Sequence, residues 1–268
     1  MEQVFEFSGY RIYTKTEGEG RPVLMLHSYW GNHTLFDNLT LVLSTTMRVI
    51  RIDLPGHGNS GTPTVEYTFD KFAAVLEELL TGLNIKGKIS IIGHSMGGYA
   101  AMAFAAKYPE RIESMVLMHS PAKAADAQSI KLRNREGHFL LKGKKDLLLQ
   151  VTIPSNFAPQ NVGSMGTAIA LLNQTSDRVT TESALRSIYA INHRGDSIRM
   201  LQSAPYPILI IIGKYDKVYS AAEQLDEAKQ IPNAEVLMLS CSGHLGFIEE
   251  EGLVLRTLVE FFQTSSHE

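Results

Sequence analysis

The sequence predicts an α/β fold: a mostly parallel, twisted sheet of about eight strands, covered by helices on both faces, with an inserted helical lid. Short apolar runs alternate with helical patterns in the first half of the chain, and this alternation returns near the end. Between the two halves, residues 123–203 show helical and mixed patterns without a strong strand. In addition, one strand runs directly into a Gly-x-Ser-x-Gly turn followed by an Ala-rich helix.

The first half of the chain alternates strands with helices. Apolar residues recur in Tyr67–Leu83 with a period near 3.6, which is typical of a helix with one buried face. The short apolar run Pro22–Leu26 is typical of a buried strand. The same reasoning predicts strands at Val4–Phe7, Arg11–Thr16, Pro22–Leu26, Arg48–Ile52, Lys88–Ile92 and Ile112–Met118, and helices at Thr34–Leu43, Tyr67–Leu83 and Met96–Lys107.

The second half resumes this pattern after the helical segment. An insertion after the sixth strand is expected to lie above the carboxyl ends of the strands, where open α/β sheets bind ligands. The chain is therefore predicted to form a core from residues 1–122 and 204–268 and a helical lid from residues 123–203. In the second part of the core we predict strands at Pro207–Ile212 and Glu235–Leu239 and helices at Ala221–Lys229 and Leu245–Phe262.

Composition excludes several classes of function. The net charge of −3 gives no electrostatic reason to expect nucleic acid or an anionic membrane as a partner. Cys241 is the only cysteine, which fits a reducing compartment, and the first residues do not predict a signal peptide. We expect a cytoplasmic protein, monomeric or homodimeric, without a membrane partner. Zinc-type spacings are absent from the sequence, so no metal and no cofactor is expected.

The segment Ile91–Gly98 (IIGHSMGG) carries the strongest chemical signal. A hydrophobic strand, a Gly-x-Ser-x-Gly turn and a helix in direct succession are typical of a nucleophile elbow. This turn exposes the hydroxyl of Ser95 at a helix N-terminus, where free N–H groups can stabilise an oxyanion. We predict that Ser95 is a nucleophile rather than part of an ordinary Gly/Ser turn.

A serine nucleophile needs a base and a residue that orients the base. His244 follows the last predicted strand, and Asp216 follows the strand before it, so both are expected at the same sheet edge as Ser95. The chain order Ser, Asp, His is the order of α/β-hydrolases. Two alternatives are open: His244 as a turn histidine, and Asp216 as the N-cap of the next helix.

With these residues in place, the chain resembles serine-nucleophile α/β-hydrolases with a helical lid, a family that includes small carboxylesterases, enol-lactonases and carbon–carbon bond hydrolases. The resemblance covers the chain outside the lid. The motifs that carry it are Leu26–Gly31 (LHSYWG), Asp53–Ser60 (DLPGHGNS), the elbow, Gly213–Asp216 (GKYD) and Ser242–His244 (SGH).

The resemblance implies roles for several backbone groups. The loop after the third strand would supply one oxyanion-hole N–H, from Tyr29, and Met96 beside the nucleophile would supply the second. Ser28 stands where the family usually has glycine, which bears on the geometry of that loop. Asp53 and His57 match a structural loop, so they are expected to hold a turn rather than to catalyse.

The hypothesis for function is hydrolysis of a small carboxylic ester, lactone or related acyl substrate through Ser95, His244 and Asp216 by way of an acyl-enzyme. One alternative is a ligand-sensing receptor with slow or single turnover, and another is an acyltransferase or perhydrolase on the same triad. The predicted pocket is largely apolar. The basic residues Lys131, Arg133 and Arg135 are expected on a solvated helix face, with carboxylate binding as the alternative. The predicted pocket residues are Trp30, His119, Phe139, Phe157, Met165 and Leu172.

Overall fold

A computed structural model describes residues 1–265, so the last three residues of the predicted core lie outside the described part of the chain. The strands are β1 (Glu2–Phe7), β2 (Tyr10–Glu17), β3 (Arg21–Leu26), β4 (Met47–Ile52), β5 (Ile89–His94), β6 (Ile112–Met118), β7 (Ile208–Gly213) and β8 (Ala234–Leu239). The helices of the first half are α1 (Asp37–Leu43), α2 (Phe69–Gly82) and α3 (Met96–Lys107). The remaining helices are α4 (Ala127–Leu141), α5 (Lys145–Ser155), α6 (Gly166–Asp177), α7 (Thr181–Asn192), α8 (Ile198–Gln202), α9 (Ala221–Ala228), α10 (Gly246–Glu249) and α11 (Glu251–Thr264).

The strands form one sheet in the order β1-β2-β4-β3-β5-β6-β7-β8. The pairs β1–β2 and β2–β4 are antiparallel, and all other pairs are parallel. The carboxyl ends of β3, β5, β6, β7 and β8 therefore meet at one edge. The predicted mostly parallel sheet is confirmed, and this edge receives the loops that carry the candidate site.

Alternate residues of the central strands enter two separate cores, one on each face of the sheet. In β7, Ile208 and Ile210 join the core beneath α2 and α3, whereas Leu209 and Ile211 join the core beneath α1 and α11. This alternation follows from the two-residue period of a strand. Because both faces are covered by helices, the central strand β7 is apolar throughout rather than alternating with polar residues.

Helices α4 to α8 lie between β6 and β7, and we refer to residues 123–203 as the helical insertion. Its apolar side chains divide between the two cores. Leu140, Ile153 and Phe157 belong to the core on the α1 and α11 face, whereas Ile191 and Leu201 belong to the core on the α2 and α3 face. Pro154 lies inside the last turn of α5. Of the helices that the structure describes, none is long and apolar enough to span a bilayer.

Three predicted helices differ from the structure: the one expected at Thr34–Leu43 is α1 preceded by a 3-10 turn, His33–Phe36, and the other two differ in their start or continuity. The helix expected from Tyr67 begins at Phe69 because the Thr68 side chain accepts a hydrogen bond from the Lys71 N–H and caps it. The single helix expected at Leu245–Phe262 is two helices, α10 and α11, separated at Glu250.

Candidate active site

Ser95 joins β5 to α3 in a strained backbone conformation. Its φ is 52° and its ψ is −114°, a combination that residues other than glycine rarely adopt. The Ser95 N–H donates to the carbonyl of Met118, at 2.9 Å, which anchors the elbow to β6. The Ser95 side chain makes no capping hydrogen bond to α3, so its hydroxyl is not engaged in holding the helix. Strain of this kind persists where the surrounding structure imposes it, as at many catalytic sites.

The glycines of the elbow allow backbones to approach closely. A Cβ atom on Gly97 would lie 2.0 Å from the carbonyl oxygen of Leu26 in β3, and one on Gly93 would lie 2.5 Å from Cα of Gly98. The Gly-x-Ser-x-Gly spacing is therefore explained by steric contact of the turn with α3 and with the neighbouring strand.

His244 and Asp216 meet at the edge where β7 and β8 end. Nδ1 of His244 lies 2.8 Å from Oδ2 of Asp216. The other carboxylate oxygen of Asp216 accepts hydrogen bonds from the N–H groups of Val218 and Tyr219, at 2.8 and 3.0 Å. The N-cap of α9 is Ser220, so the alternative of Asp216 as a helix cap does not describe this structure.

The environment of Asp216 keeps its carboxyl group ionised. Burial alone would raise the pKa of Asp216, but the neighbouring rings of His244 and His119 outweigh burial and hold that pKa well below its usual range. A permanent carboxylate that accepts from Nδ1 of His244 fixes the proton on that nitrogen. Nε2 of His244 is then the nitrogen available to act as a base.

His119 is placed differently from the prediction. It was expected to line the substrate pocket, but it is fully buried behind Asp216, with Nδ1 3.4 Å from Oδ2 of that residue. Its Nε2 accepts a hydrogen bond from the Gly246 N–H at 3.2 Å. That bond places the ring proton on Nδ1, facing the carboxylate. His119 thus adds a second imidazole beside Asp216, which the sequence did not indicate.

The ligand atoms of His119, Asp216 and His244 lie within 4.8 Å of one another, a spacing that could also hold a metal ion. Two nitrogen or oxygen ligands about 2.0–2.1 Å from a tetrahedral zinc ion are separated by about 3.3 Å. The 2.8 Å between Nδ1 of His244 and Oδ2 of Asp216 is instead a hydrogen-bond distance. The arrangement fits an imidazole–carboxylate pair better than a metal centre.

The candidate oxyanion loop is a tight turn after β3. The Gly31 N–H donates to the carbonyl of Ser28, at 3.0 Å, and Trp30 has a φ of 66°. Positive φ therefore falls on Trp30 rather than on Ser28, so serine is compatible with its position in this turn. Among the described residues, no acceptor engages the N–H of Tyr29 or of Met96, which leaves both free to bind a ligand.

A cavity of about 70 Å³ contains Ser95 and His244 together with residues of this loop and of the helical insertion. Trp30 and Leu172 line it, as predicted, but Phe139 lines an adjoining groove, and Phe157 and Met165 are absent from its wall. Phe157 is fully buried in the core instead. The wall has more apolar than polar surface, although it includes the charged residues Arg133 and Glu136: its lining is Ser28, Tyr29, Trp30, Ser95, Arg133, Glu136, Thr152, Ile153, Asn156, Leu172, Val218, His244 and Leu245.

With this geometry established, the chain can be compared with known proteins. The model of the alpha/beta hydrolase fold family matches residues 21–251. The chain belongs to this family. The resemblance inferred from the five sequence motifs is thereby confirmed.

Curated relatives cover most of the chain at low identity. Lipase 3 of Moraxella sp. (strain TA144) is 27% identical over 234 residues, which is 86% of this chain and 73% of that protein. The 2-hydroxy-6-oxo-6-(2'-aminophenyl)hexa-2,4-dienoic acid hydrolase of Metapseudomonas resinovorans is 24% identical over 242 residues, which is 87% of this chain and 80% of that protein.

Solved structures share the fold over nearly the whole length. A thermophilic esterase from Thermogutta terrifontis superimposes with a TM-score of 0.92 at 24% identity and covers 99% of each chain. The enol-lactonase from Burkholderia xenovorans LB400 superimposes with a TM-score of 0.89 at 22% identity, covering 97% of this chain and 100% of that one.

Sequence reasoning missed the residues that hold the His244 loop. Oε1 of Glu249 accepts from the Gly243 N–H at 2.7 Å, and Oε2 accepts from the Ala158 N–H and the Asn161 side chain, each at 2.8 Å. The Glu249 carboxylate thus joins the His244 loop to the helical insertion. In the sequence it is one of three consecutive glutamates, Glu249 to Glu251, and no pattern singles it out.

Glu249→Gln is expected to lower kcat/KM about tenfold, because a glutamine amide cannot accept from all three donors and the His244 loop would loosen. The loss of a charged acceptor should also reduce the free energy of unfolding by about 1–3 kcal/mol. Steady-state ester hydrolysis and urea denaturation measure the two effects. Glu251→Gln, at an exposed pair with Asn38, is the matched control. Equal kinetics for the two variants would contradict this role.

The loop Asp53–Ser60 is held by a buried polar network, as predicted. Oδ1 of Asp53 accepts from the N–H of His33 and Oδ2 from the N–H of Asn59, each at 2.7 Å. His27 supports both this loop and the oxyanion turn: Nδ1 donates to the Ser28 carbonyl and Nε2 accepts from the Leu54 N–H, both at 2.8 Å. This bonding requires a neutral His27.

The pH dependence of stability should report the buried histidines of this network. Burial, with a smaller contribution from His57, lowers the pKa of His27 from 6.5 to about 3, and burial lowers the pKa of His57 to about 4. The unfolded chain therefore binds more protons than the folded one between these values and pH 6.5. The free energy of unfolding should fall as pH decreases through this window, by about 1.4 kcal/mol per pH unit for each histidine.

This slope can be measured by urea denaturation between pH 4.5 and 6.5, roughly the window set by the two shifted groups. His57→Asn should reduce the slope of the free energy of unfolding against pH by the contribution of about one proton. His138→Asn, at an exposed position, should leave that slope unchanged. An unchanged slope in His57→Asn would show that this histidine is already protonated in the folded protein.

Proposed function

We propose that this protein is a serine hydrolase of small carboxylic esters or lactones, with Ser95 as nucleophile, His244 as base and Asp216 as the residue that orients the base. The observation that carries this proposal is the hydrogen bond of 2.8 Å between His244 and Asp216, with Ser95 and His244 lining one cavity. The esterase, lipase, lactonase and hydrolase names of its relatives support a carboxylic-ester hydrolase.

In this mechanism Nε2 of His244 accepts the hydroxyl proton of Ser95 while Oγ attacks the acyl carbonyl. The imidazolium that forms is stabilised by the Asp216 carboxylate. The same nitrogen then returns its proton to the departing alkoxide, which leaves an acyl-enzyme. Water attacks the acyl-enzyme with His244 again as base, which releases the carboxylic acid and restores the Ser95 hydroxyl.

The negative charge of the tetrahedral intermediate needs donors fixed in advance. The free N–H groups of Tyr29 and Met96 are the candidates, and Met96 is also the first residue of α3, where the helix dipole favours an anion. The Trp30 carbonyl accepts a hydrogen bond from the Thr175 hydroxyl of the helical insertion, at 3.1 Å. This bond joins the insertion to the turn that carries the Tyr29 N–H. We propose that residues 123–203 act as a lid over the core formed by residues 1–122 and 204–268.

The proposal is tested with p-nitrophenyl acetate, whose acetyl group is small enough for a cavity of about 70 Å³. Many turnovers per protein molecule are expected, together with one equivalent of label on Ser95 from a fluorophosphonate probe. A single burst of one product would favour the receptor alternative. Partitioning of the product toward an added alcohol or peroxide would favour acyl transfer or perhydrolysis. A folded protein that neither turns over nor labels would refute the nucleophile assignment.

A further inference from the structure

The cavity at Ser95 opens into a second, larger space. A groove of about 740 Å³ is lined by α4, α5 and the loop residues Lys217, Val218 and Tyr219. Arg133, Glu136, Thr152, Asn156 and Val218 line both spaces, so they form a neck between the cavity and the groove. A substrate bound to Ser95 would pass this neck.

Three polar atoms on residues of the cavity wall are buried and have no hydrogen-bond partner: the Tyr29 hydroxyl, the Trp30 indole nitrogen and Oε1 of Glu136. Trp30 is only 5% exposed. A buried polar group without a partner costs free energy comparable to a lost hydrogen bond, so natural structures rarely retain one without a function. Here the three atoms occur together beside the nucleophile. The Tyr29 and Trp30 side chains face Glu136 closely enough for hydrogen bonding to oppose the rise that burial causes in its pKa, yet none of the three atoms completes a bond of ordinary length and angle.

The neck contains one basic and one acidic side chain, Arg133 and Glu136, whose charges are opposite. Nη2 of Arg133 donates to the Tyr219 hydroxyl at 2.9 Å. The Glu136 carboxylate acts on the Arg133 guanidinium through its charge, and no direct ion pair of Arg133 is found among the described residues. Glu136 is one turn further along α4. Burial raises the pKa of Glu136, while Arg133 and the nearby Tyr29 and Trp30 side chains act to lower it. Arg133 is therefore not on the solvated helix face expected from the sequence.

Donors outnumber acceptors in this group. The Tyr29 hydroxyl, the Trp30 N–H and the Arg133 guanidinium can all donate, whereas Glu136 is the acceptor. A ligand oxygen would satisfy these donors, and a hydroxyl could also donate to Glu136. Because Arg133 and Glu136 compensate each other in charge, a neutral oxygen group fits this position better than a carboxylate.

We infer that Tyr29, Trp30, Arg133 and Glu136 form a polar subsite that selects esters whose short acyl group bears a neutral hydroxyl or carbonyl oxygen. This inference rests on the proposed function and names its substrate class. The acyl group lies in the small cavity, with its oxygen at the neck. The alcohol part extends into the groove, where Leu132, Leu147 and Val151 are exposed and apolar.

The test compares ethyl 3-hydroxybutanoate and ethyl 3-oxobutanoate with ethyl 3-methylbutanoate, which has nearly the same shape but lacks the oxygen. Proton release measures kcat/KM for each ester. Tyr29→Phe removes one donor and keeps the ring. Trp30→Phe removes another and keeps a smaller aromatic side chain, and both variants keep the backbone N–H. The control is Tyr67→Phe, which removes an equally buried and unpartnered hydroxyl far from the cavity wall.

The wild-type protein is expected to prefer the two oxygen-bearing esters. Each subsite variant should reduce that preference about threefold to tenfold, the usual effect of one hydrogen bond, while Tyr67→Phe leaves it unchanged. Comparing the same ratio across variants cancels the intrinsic reactivities of the esters. Thermal unfolding of each variant verifies that it is folded.

The other outcomes separate the two proposals. An unchanged preference in both subsite variants, with hydrolysis still dependent on Ser95, would overturn the subsite and leave the esterase proposal standing. Faster turnover of monoethyl malonate than of the neutral esters would overturn the assignment of a neutral oxygen. Absence of Ser95-dependent hydrolysis and of fluorophosphonate labelling would overturn the proposed function itself.

Discussion

Ser95→Ala is expected to reduce kcat/KM for p-nitrophenyl acetate by about 10⁴-fold or more, because loss of the nucleophile leaves only binding and oxyanion stabilisation. Labelling by the fluorophosphonate probe should disappear as well. Steady-state hydrolysis and active-site titration measure the two effects. Ser203→Ala, at an exposed position at the end of α8, is the matched control and should behave like the wild type.

Ser95→Gly separates catalysis from backbone strain. Glycine accepts the φ of 52° without penalty, and the serine side chain contributes no capping bond that would be lost. The variant should be inactive yet more stable than Ser95→Ala, by about 1 kcal/mol in the free energy of unfolding. Urea denaturation compares the two. A Ser95→Ala variant that retained most of the activity would remove the basis of the proposed mechanism.

Asp216→Asn is expected to lower kcat by about 10³–10⁴-fold with little change in KM. An asparagine oxygen can still accept from the amides of Val218 and Tyr219, so the turn should persist. The negative charge that fixes the proton on Nδ1 of His244 and stabilises the imidazolium is lost, and the ring is free to adopt the unproductive tautomer.

The matched control for this variant is Asp226→Asn, at an exposed aspartate of α9 that pairs with Lys229. Its kinetics should match those of the wild type. If Asp216→Asn retained more than about a tenth of the wild-type kcat, another group would have to orient His244. His119 would then be the residue to change next, since its ring also faces the carboxylate.

Local patterns in the sequence predicted the sheet and most of its helices because hydrophobic period and helix capping act over a few residues. For the strands in the first half of the chain and for α2, the predicted ends lie within about two residues of the observed ends. Predictions failed where a distant contact decides the outcome: Glu250 interrupts the last helix and its carboxylate accepts from the Cys241 N–H at 2.9 Å. The hydrophobic periodicity of the sequence carries no information about a hydrogen bond of this kind.

The candidate triad was predictable for a related reason. Ser95, Asp216 and His244 each follow a strand, and parallel strands bring their carboxyl ends to one edge. The pocket was less predictable because its wall depends on how the helical insertion packs. Trp30 and Leu172 line the cavity, but Phe157 is turned into the core and Arg133 is turned inward to the neck.

The sequence by itself determined the order of strands and helices, the strained serine turn and the edge at which the three candidate catalytic residues emerge, because these depend on local period and on fixed motif spacing. Only the tertiary structure decided that His119 lies behind Asp216, that Glu249 holds the His244 loop and that Arg133 and Glu136 meet Tyr29 and Trp30 beside Ser95. These contacts join residues far apart in the chain, and their geometry is set by packing, which no local pattern encodes.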